Sequence, residues 1–511
     1  MAGEGEPTDA PGDVTELTSD FVAEQRRIRL QKLDELRERG VDPYPVRYER
    51  THTAGEVRAA HPDLPPGSET DHRVSVAGRV MLLRRQGKLS FATLQDRDGD
   101  IQLFVSTDEV GADVHRDFDL LDRGDWIGVT GTVMTTRRGE LSVRVQRFEL
   151  LAKAIRPLPE KWHGVTDTDT RFRQRELDLT VNDEARRIAR LRIDTVARVR
   201  GHLTDRGFLE VEGPTMLSAQ GGETARPFVT HHNALDIDLY LRISLELRLK
   251  RLIVGGLDRV FEIGRVYRNE GTDTTHNPEF TMVEAYQAFA DYHDMMDLME
   301  SVAVAVARPV LPDLRVEYGD RTIDFTPPYK RATMVELVRE HAGVEIHPAM
   351  AVDDARTVLD GLGLEYEPSW GSGRLTNEVY DALVEDRIVE PTFVLDHPRE
   401  VSPLARPHRG DPTLVERFEL VVAGTELANA YSELNDPVDQ LARFEAAAAE
   451  LGADAPPGAV DVEFVRALEY GMPPTGGLGF GIDRLVMFLS GTPSIREVIL
   501  FPTLRPEVFP D

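Results

Sequence analysis

The chain contains no cysteine. That absence excludes disulfides, thiolate-bound zinc, iron–sulfur clusters and thiol nucleophiles, so any metal must be held by oxygen or imidazole. It also fits a reducing, cytoplasmic setting. Long apolar runs are missing too: no stretch approaches the ~18 apolar residues of a membrane span. The opening MAGEGEPTDAPGD has neither the basic nor the apolar region of a secretory leader. Neither membrane spanning nor secretion is expected. Positive charge is in short supply, 60 Lys and Arg against 89 Asp and Glu for a net charge of −29. The whole molecule repels a polyanion, and any nucleic-acid contact must be confined to a locally basic face. What remains is an ordinary folded composition, 41% hydrophobic and 29% charged. At 511 residues the chain exceeds the ~250–300 at which one core stops growing, which calls for two or three domains.

Residues 1–20 are acidic and rich in Gly, Pro and Thr, and read as a disordered tail. An N-terminal helical segment, 21–72, begins with a charged helix from Phe21 to Gly40, ended by that glycine and followed by Pro43 and Pro45. Its Arg26, Arg27, Arg29, Lys32, Arg37 and Arg39 make either an RNA-facing element or a solvated helix with ion pairs to Asp34, Glu35 and Glu38. Over 73–153 the pattern turns to short β-branched and aromatic runs. Strands are expected at Val74–Leu83, Leu89–Asp96, Ile101–Val105, Asp125–Thr135 and Leu141–Leu151, with turns at Gln86-Gly87, Asp98-Gly99 and Arg138-Gly139. Five strands in so short a segment suit a small closed barrel, most commonly the oligonucleotide-binding (OB) fold. Phe91, Phe104, Arg79, Arg84, Arg85, Lys88, Arg137 and Arg138 offer stacking surfaces and cations to a single strand. Aromatics in a barrel are nevertheless more often core, and the same fold binds proteins and sugars. A linker at 154–170, containing Ile155-Arg156-Pro157-Leu158-Pro159, leads into a mixed helix-and-strand region, 171–511, with an inserted subdomain expected at about 329–409.

Three clusters carry chemistry. In Phe261–Glu270 and the following Gly271–Phe280, alternation puts Arg265 and Arg268 on opposite strand faces, and an arginine at a strand end can grip a phosphate in two-pronged fashion. Glu270 can accept from an exocyclic amine; a surface pair between Arg268 and Glu270 is the plain alternative. In Gly476–Leu485, alternate glycines let a flat ligand or a backbone approach closely, and Asp483 and Arg484 open a helix. The Gly477-x-Gly479-x-Gly481 spacing is wrong for a dinucleotide fingerprint, and no phosphate-loop Gly-Lys-Ser/Thr occurs. In Glu416–Glu433, a hairpin with strands Glu419–Val422 and Leu427–Tyr431 brings carboxylates to one end, a donor set suited to magnesium shared with a nucleotide phosphate.

Tyr267-Arg268-Asn269-Glu270 and Gly479-Phe480-Gly481-Ile482-Asp483-Arg484 resemble, in order and separation, the second and third signature motifs of class II aminoacyl-tRNA synthetases. Phe208–Pro214 is similar to the first, whose proline lies at a dimer interface. The barrel narrows the resemblance to the subclass for lysine, aspartate and asparagine. The runs from Arg226, His276 and Ala428 look like those of lysine-activating members. The resemblance spans Phe21 to Pro506, and implies an α+β fold: an OB barrel followed by an antiparallel sheet flanked by helices. It further implies ATP-dependent activation of L-lysine, transfer to tRNA, Mg2+ and a cytoplasmic homodimer.

Residue by residue, the resemblance gives Arg268 the lysine carboxylate and α-phosphate, Glu270 the adenine amine, and His276 and Asn277 the triphosphate. Phe280 would stack on adenine with Arg484 on its other face, reaching the γ-phosphate. Glu419 and Glu426 would hold the metal. Glu246 would take the α-ammonium of lysine and Asn429 its carboxylate side, while Glu284, Tyr286 and Glu433 surround the ε-ammonium, which needs paired charge once desolvated. Arg79, Phe91, Gln102 and Glu140 match the positions that read the anticodon. Two places depart from the family: Gly221-Gly222-Glu223-Thr224 where Gly-Gly-Ala is usual, and Ser244-Leu245 where Ala-Pro is usual. A lysine ligase acting on protein, an RNA-binding descendant without catalysis, and a second copy serving self-protection against inhibitors are the rival readings. The barrel speaks against the first, and retention of Arg268, Glu270 and Arg484 against the second.

Overall fold

The computed structural model describes residues 19–159, 167–218, 225–451 and 460–506. The expected tail, up to residue 18, the 160–166 part of the expected linker and the loop holding Glu223 lie outside the described residues. The chain divides into two compact units at residue 166/167.

In the first unit, helix α1 (Ser19–Glu38) stops just before Gly40, whose φ of 78° only a glycine adopts freely. Its basic face is largely spent within the unit. The Arg29 guanidinium donates to the carbonyls of Arg123, Ala154 and Arg156, and Lys32 pairs with Asp122 at 2.6 Å. A short helix α2 (Ala54–Ala60) is closed at its N-terminus by a reciprocal Thr53–Glu56 capping box. The strands β1 (Glu69–Gln86), β2 (Leu89–Asp96) and β3 (Gly99–Ser106) precede two short helices, α3 (Thr107–Val110) and α4 (Ala112–Asp119). Then come β4 (Trp126–Thr135) and β5 (Leu141–Ala152). They close a barrel in the order β1-β2-β3-β5-β4, with β1 pairing back onto β4, which is the OB arrangement. β1 is longer than its hydrophobic pattern indicates and starts inside the segment expected to be helical. Its register shift between Val80 and Leu82 lets one strand bend around two neighbours. Val74, Val76, Leu94, Ile101, Leu103, Val129 and Val143 fill the interior, joined by Leu36 of α1 and Val57 of α2.

The second unit opens with α5 (Thr168–Arg173), α6 (Arg175–Val181) and the long α7 (Asp183–Asp205), capped by the Asn182 side chain. Next come β6 (Leu209–Glu210), β7 (Met216–Leu217), β8 (Val229–His232), β9 (Ile237–Leu241), α8 (Glu246–Val254), β10 (Arg259–Tyr267), β11 (Glu279–Ala288), α9 (Tyr292–Ala307), β12 (Arg315–Tyr318) and β13 (Arg321–Asp324). The segment expected as an insertion, 329–409, contributes the strands β14 (Lys330–Thr333) and β15 (Thr392–Leu395) to the main sheet. Its helices α10 (Met334–Ala342), α11 (Val352–Leu362) and α12 (Ser372–Leu383) pack on a core shared with Val421 of that sheet. The chain finishes with β16 (Arg417–Val422), β17 (Thr425–Ser432), α13 (Pro437–Leu451), α14 (Val462–Leu468), β18 (Thr475–Gly481), α15 (Ile482–Ser490) and α16 (Ile495–Val498).

Eight strands form the main sheet in the order β14-β15-β16-β17-β18-β11-β10-β6. Five consecutive strands, β16 to β10 in that order, are antiparallel neighbours, and they hold all three sequence clusters. One face buries Phe261, Val283, Leu420, Phe480 and the apolar stripes of α7, α9 and α15. The β16–β17 hairpin turns on Ala423-Gly424, both at positive φ, tighter than the turn expected there.

Candidate functional site

β18 lies between β11 and β17, and its register decides the site. Gly479 pairs with Glu284 on one side and Asn429 on the other; Gly477 pairs with Tyr286 and Tyr431. A row with glycine at its centre and long polar side chains at both ends is a trough. At Gly477 a Cβ would clash with Glu433 Oε1 and lie 2.5 Å from the Tyr286 ring. The glycine run thus provides room for two neighbours. A cavity of about 500 Å³ occupies this trough. It brings together Glu246, Arg268, Glu270, His276, Asn277, Phe280, Glu284, Tyr286, Glu419, Glu426, Asn429, Glu433 and Arg484.

One end is acidic and dry. Glu284 is 3% exposed; its Oε1 accepts the Leu245 backbone N–H at 2.9 Å and its Oε2 the Tyr286 hydroxyl at 3.0 Å. Burial and the carboxylates Glu246, Glu284 and Glu433 hold the Tyr286 phenol far above its ordinary range, so it stays a donor. Glu433, 1% exposed, is 2.5 Å from the Nζ of Lys250, which also pairs with Glu246. In the middle, Arg417 fixes the amide of Asn429. A guanidinium only donates, so Asn429 Oδ1 faces it at 3.1 Å, and Nδ2 donates to the Tyr431 hydroxyl at 3.0 Å.

The other end mixes charges. Glu419 pairs with Arg417 at 2.5 Å, and Arg484 lies 3.6 Å from Glu426. Burial and the neighbouring Glu419 push the Glu426 carboxyl up against the pull of Arg484, and Glu385 is pushed up to about 7 by the same two causes. Two mutually repelling carboxylates are what a divalent cation relieves. Among the described residues there is no group of three His, Asp or Glu suited to a metal, so a cation here would need further ligands from elsewhere. Asp483 anchors Arg484's helix: it pairs with Arg192 of α7 and accepts the Thr281 N–H at 2.7 Å.

Several of the expected site residues have partners of their own. The guanidinium over the Phe280 ring, at 5.3 Å, is that of Arg268, and Arg484 donates to the Glu426 carbonyl and lies 3.6 Å from its carboxylate. Asn277 is largely committed to the fold, donating to the Glu279 carbonyl and accepting from Thr503 N–H. His276 is exposed and bonded to Asp273, which the Thr275 and His276 donors, outweighing burial, hold well below the usual carboxylate range. Lys250, Arg417 and Tyr431 were not singled out from sequence, although Lys250 stands four residues after Glu246, on the same helix face.

On the barrel, a groove of about 370 Å³ is lined by Phe91, Gln102, Glu140, Arg58 and Arg84. Phe91 is half-buried, edge-on to Phe104 at 5.5 Å. Arg79 is not in this groove. It donates to the Gly124 carbonyl and lies 4.9 Å from the Trp126 ring, while Arg84 pairs across from Phe91. Arg79 and Arg84 stand five positions apart, roughly 17 Å along an extended strand, so the strand end carrying Arg79 faces other neighbours.

Residues 167–505 match the family model described as tRNA synthetases class II (D, K and N), and residues 74–151 match that of the OB-fold nucleic acid binding domain. The chain is 52% identical to a protein of Moorella thermoacetica named lysine–tRNA ligase, over 96% of this chain and 99% of that one. A Bacillus subtilis protein of the same name is 50% identical over 94% and 97%, and one from Nostoc punctiforme 49% identical over 94% and 88%.

Proposed function

The chain belongs to the class II tRNA synthetases of the D, K and N group, and from that premise we propose that it activates L-lysine with ATP and transfers it to the 3′ end of a tRNA. The observation that carries the choice of amino acid is the charge of the closed end. Glu246, Glu284 and Glu433 line the same cavity, and the single internal ammonium there, Lys250, pairs with only two of them, which leaves carboxylate oxygens for the two ammonium groups of lysine. A site for aspartate or asparagine has no use for that excess.

In the first step the lysine carboxylate attacks the α-phosphorus of ATP and pyrophosphate leaves; in the second the tRNA hydroxyl attacks the adenylate carbonyl and AMP leaves. Neither step needs a protein nucleophile, in keeping with a cysteine-free chain. Arg268 is assigned to the carboxylate and α-phosphate. Its Nε is buried with no hydrogen-bond partner among the described residues, a donor held ready for an anion. Phe280 and Glu270 are assigned to adenine, His276 and Arg484 to the phosphates. Glu246 takes the α-ammonium, Asn429 the carboxylate side, and Glu284, Tyr286 and Glu433 the ε-ammonium. Glu419 and Glu426 are assigned to Mg2+, which when bound neutralises phosphate charge and shares its ligands with the nucleotide.

On the barrel, Phe91 is assigned to base stacking and Gln102, Glu140 and Arg84 to base edges and backbone, with Arg84 in the place expected for Arg79. A homodimer is part of this proposal: Leu209, Met216, Val229, Leu235 and Ile237, within one short stretch of chain, are each more than two-fifths exposed. So is a cytoplasmic location, where tRNA is charged. Among the described residues no helix is long and apolar enough to cross a membrane. Charging tRNA with each radiolabelled amino acid tests the proposal. Lysine is expected to be esterified to the tRNA 3′ end, and esterification of aspartate or asparagine in its stead would overturn it.

A further inference from the structure

Lys250 is fully buried, and its residue does not line the cavity, whereas its two partners do. Its ammonium sits 2.5 Å from Glu433 Oε2, is paired with Glu246 Oε1 and lies 5.8 Å from the Phe464 ring. It reaches both carboxylates from behind and spends one oxygen of each. Neither Glu433 oxygen has a hydrogen-bond partner among the described residues beyond that ion pair on Oε2, and Oε1 is the atom that abuts the space left by Gly477. An unpaired carboxylate oxygen in so dry a place is costly unless a cation completes it.

We propose that Lys250 is a positioning residue for substrate specificity: it clamps Glu246 and Glu433 at a fixed separation and sets a positive charge behind them, so that two carboxylates stand placed for a ligand with two ammonium groups. This rests on the reading of the cavity as the lysine site, and deepens it. The groups facing the pair are Glu246 on α8, Glu284 and Tyr286 on β11, and Tyr431 on β17. Every one of them is acidic or neutral, so Lys250 is the only positive charge set against Glu433 among these neighbours. Burial raises the Glu433 carboxyl to about 8, with Lys250 opposing that rise and Glu246 adding to it. Burial also works against the Lys250 charge, but Glu246 and Glu433 outweigh it and hold the ammonium above its usual range.

The sign of the effect follows. Without Lys250 the opposing charge is gone, burial and Glu246 push the Glu433 carboxyl higher still, and a lysine ammonium can pair with it only after the proton leaves. Lysine affinity must then improve as pH rises, by up to about tenfold per unit below that raised value. The test is ATP–pyrophosphate exchange by the full chain and by Lys250→Met from pH 6.5 to 8.5. The variant is expected to raise the KM for lysine at least about tenfold at pH 7, with the deficit shrinking toward pH 8.5. The KM for ATP and the rate at saturating lysine should stay within about threefold of the parent. The parent KM for lysine should fall with pH and level off above about 8, where the Glu433 carboxyl has lost its proton. A pH-independent loss, or an equal loss toward lysine and ATP, would make Lys250 merely structural and overturn the proposal. If the variant does not fold, calorimetry of lysine binding to the unaltered protein at pH 7 and pH 8.5, in buffers of different ionisation enthalpy, decides. Proton release that falls away between the two supports the clamp, and release near one proton at both overturns it. Absence of any lysine-dependent exchange in the unaltered protein is a different result, and sinks the reading of the site itself.

Discussion

At the scale of single residues, the buried Glu284 of the acidic end is met by donors that have no charge of their own. Leu245 contributes only its backbone N–H, yet that group and the Tyr286 hydroxyl both donate to Glu284. The family this chain resembles usually carries proline there, which has no N–H to give. Restoring it by Leu245→Pro should therefore release Glu284 from one side. The expected cost is roughly 1–2 kcal/mol, a rise of about five- to thirtyfold in the KM for lysine. Leu245→Ala keeps the N–H and should leave that KM within about twofold. Steady-state exchange kinetics of the two variants check this, and equal KM values for both would show that the contact does not bear on lysine. Asn429 is held in the same manner by Arg417, whose donor-only guanidinium decides which way the amide points.

Among the elements, neighbour relations matter more than the strands themselves. The alternation that gave β2, β4, β5 and the β16–β17 hairpin is local, and their bounds fall within a few residues of the expectation. What could not be read is which strand lies beside which, because pairing joins residues far apart in the chain. The row Glu284-Gly479-Asn429 exists only once β18 inserts between β11 and β17. The same holds for Asn277, whose partner Thr503 lies at the far end of the unit, and for Arg79. Knowing that β1 is a strand does not tell which of its arginines shares a face with Phe91; the register and the shift at Val80/Leu82 do. Lys250 was legible, since α8 was open to a helical reading and the i, i+4 step from Glu246 is a sequence fact. A prediction follows at this scale: Arg84→Ala should raise the KM for tRNA severalfold and flatten its salt dependence by about one contact, with lysine activation unchanged. Arg79→Ala should leave the KM for tRNA alone and lower the melting temperature of the barrel. If Arg79→Ala weakened tRNA and Arg84→Ala did not, the assignment of the groove would be reversed.

The whole molecule carries −29 charges and is proposed to bind a polyanion, so attraction must be local. The groove supplies it with Arg58 and Arg84 beside the Phe91 ring, and Arg58 is itself steadied by the Asp100 carbonyl at 2.7 Å. The two compact units divide the work proposed for them, nucleic-acid reading in the first and adenylate chemistry in the second. Every residue assigned to lysine and ATP belongs to the second unit, so amino-acid activation should need no tRNA. The most direct test of the account is ATP–pyrophosphate exchange in the absence of tRNA, with each standard amino acid offered singly to the full chain and to Glu433→Gln. The account predicts exchange with lysine and not with aspartate or asparagine. It also predicts a loss of about 100-fold or more in kcat/KM for lysine in the variant, the cost of breaking a buried ion pair, with the KM for ATP retained. Exchange driven by aspartate or asparagine, or a Glu433→Gln protein as active toward lysine as its parent, would contradict it.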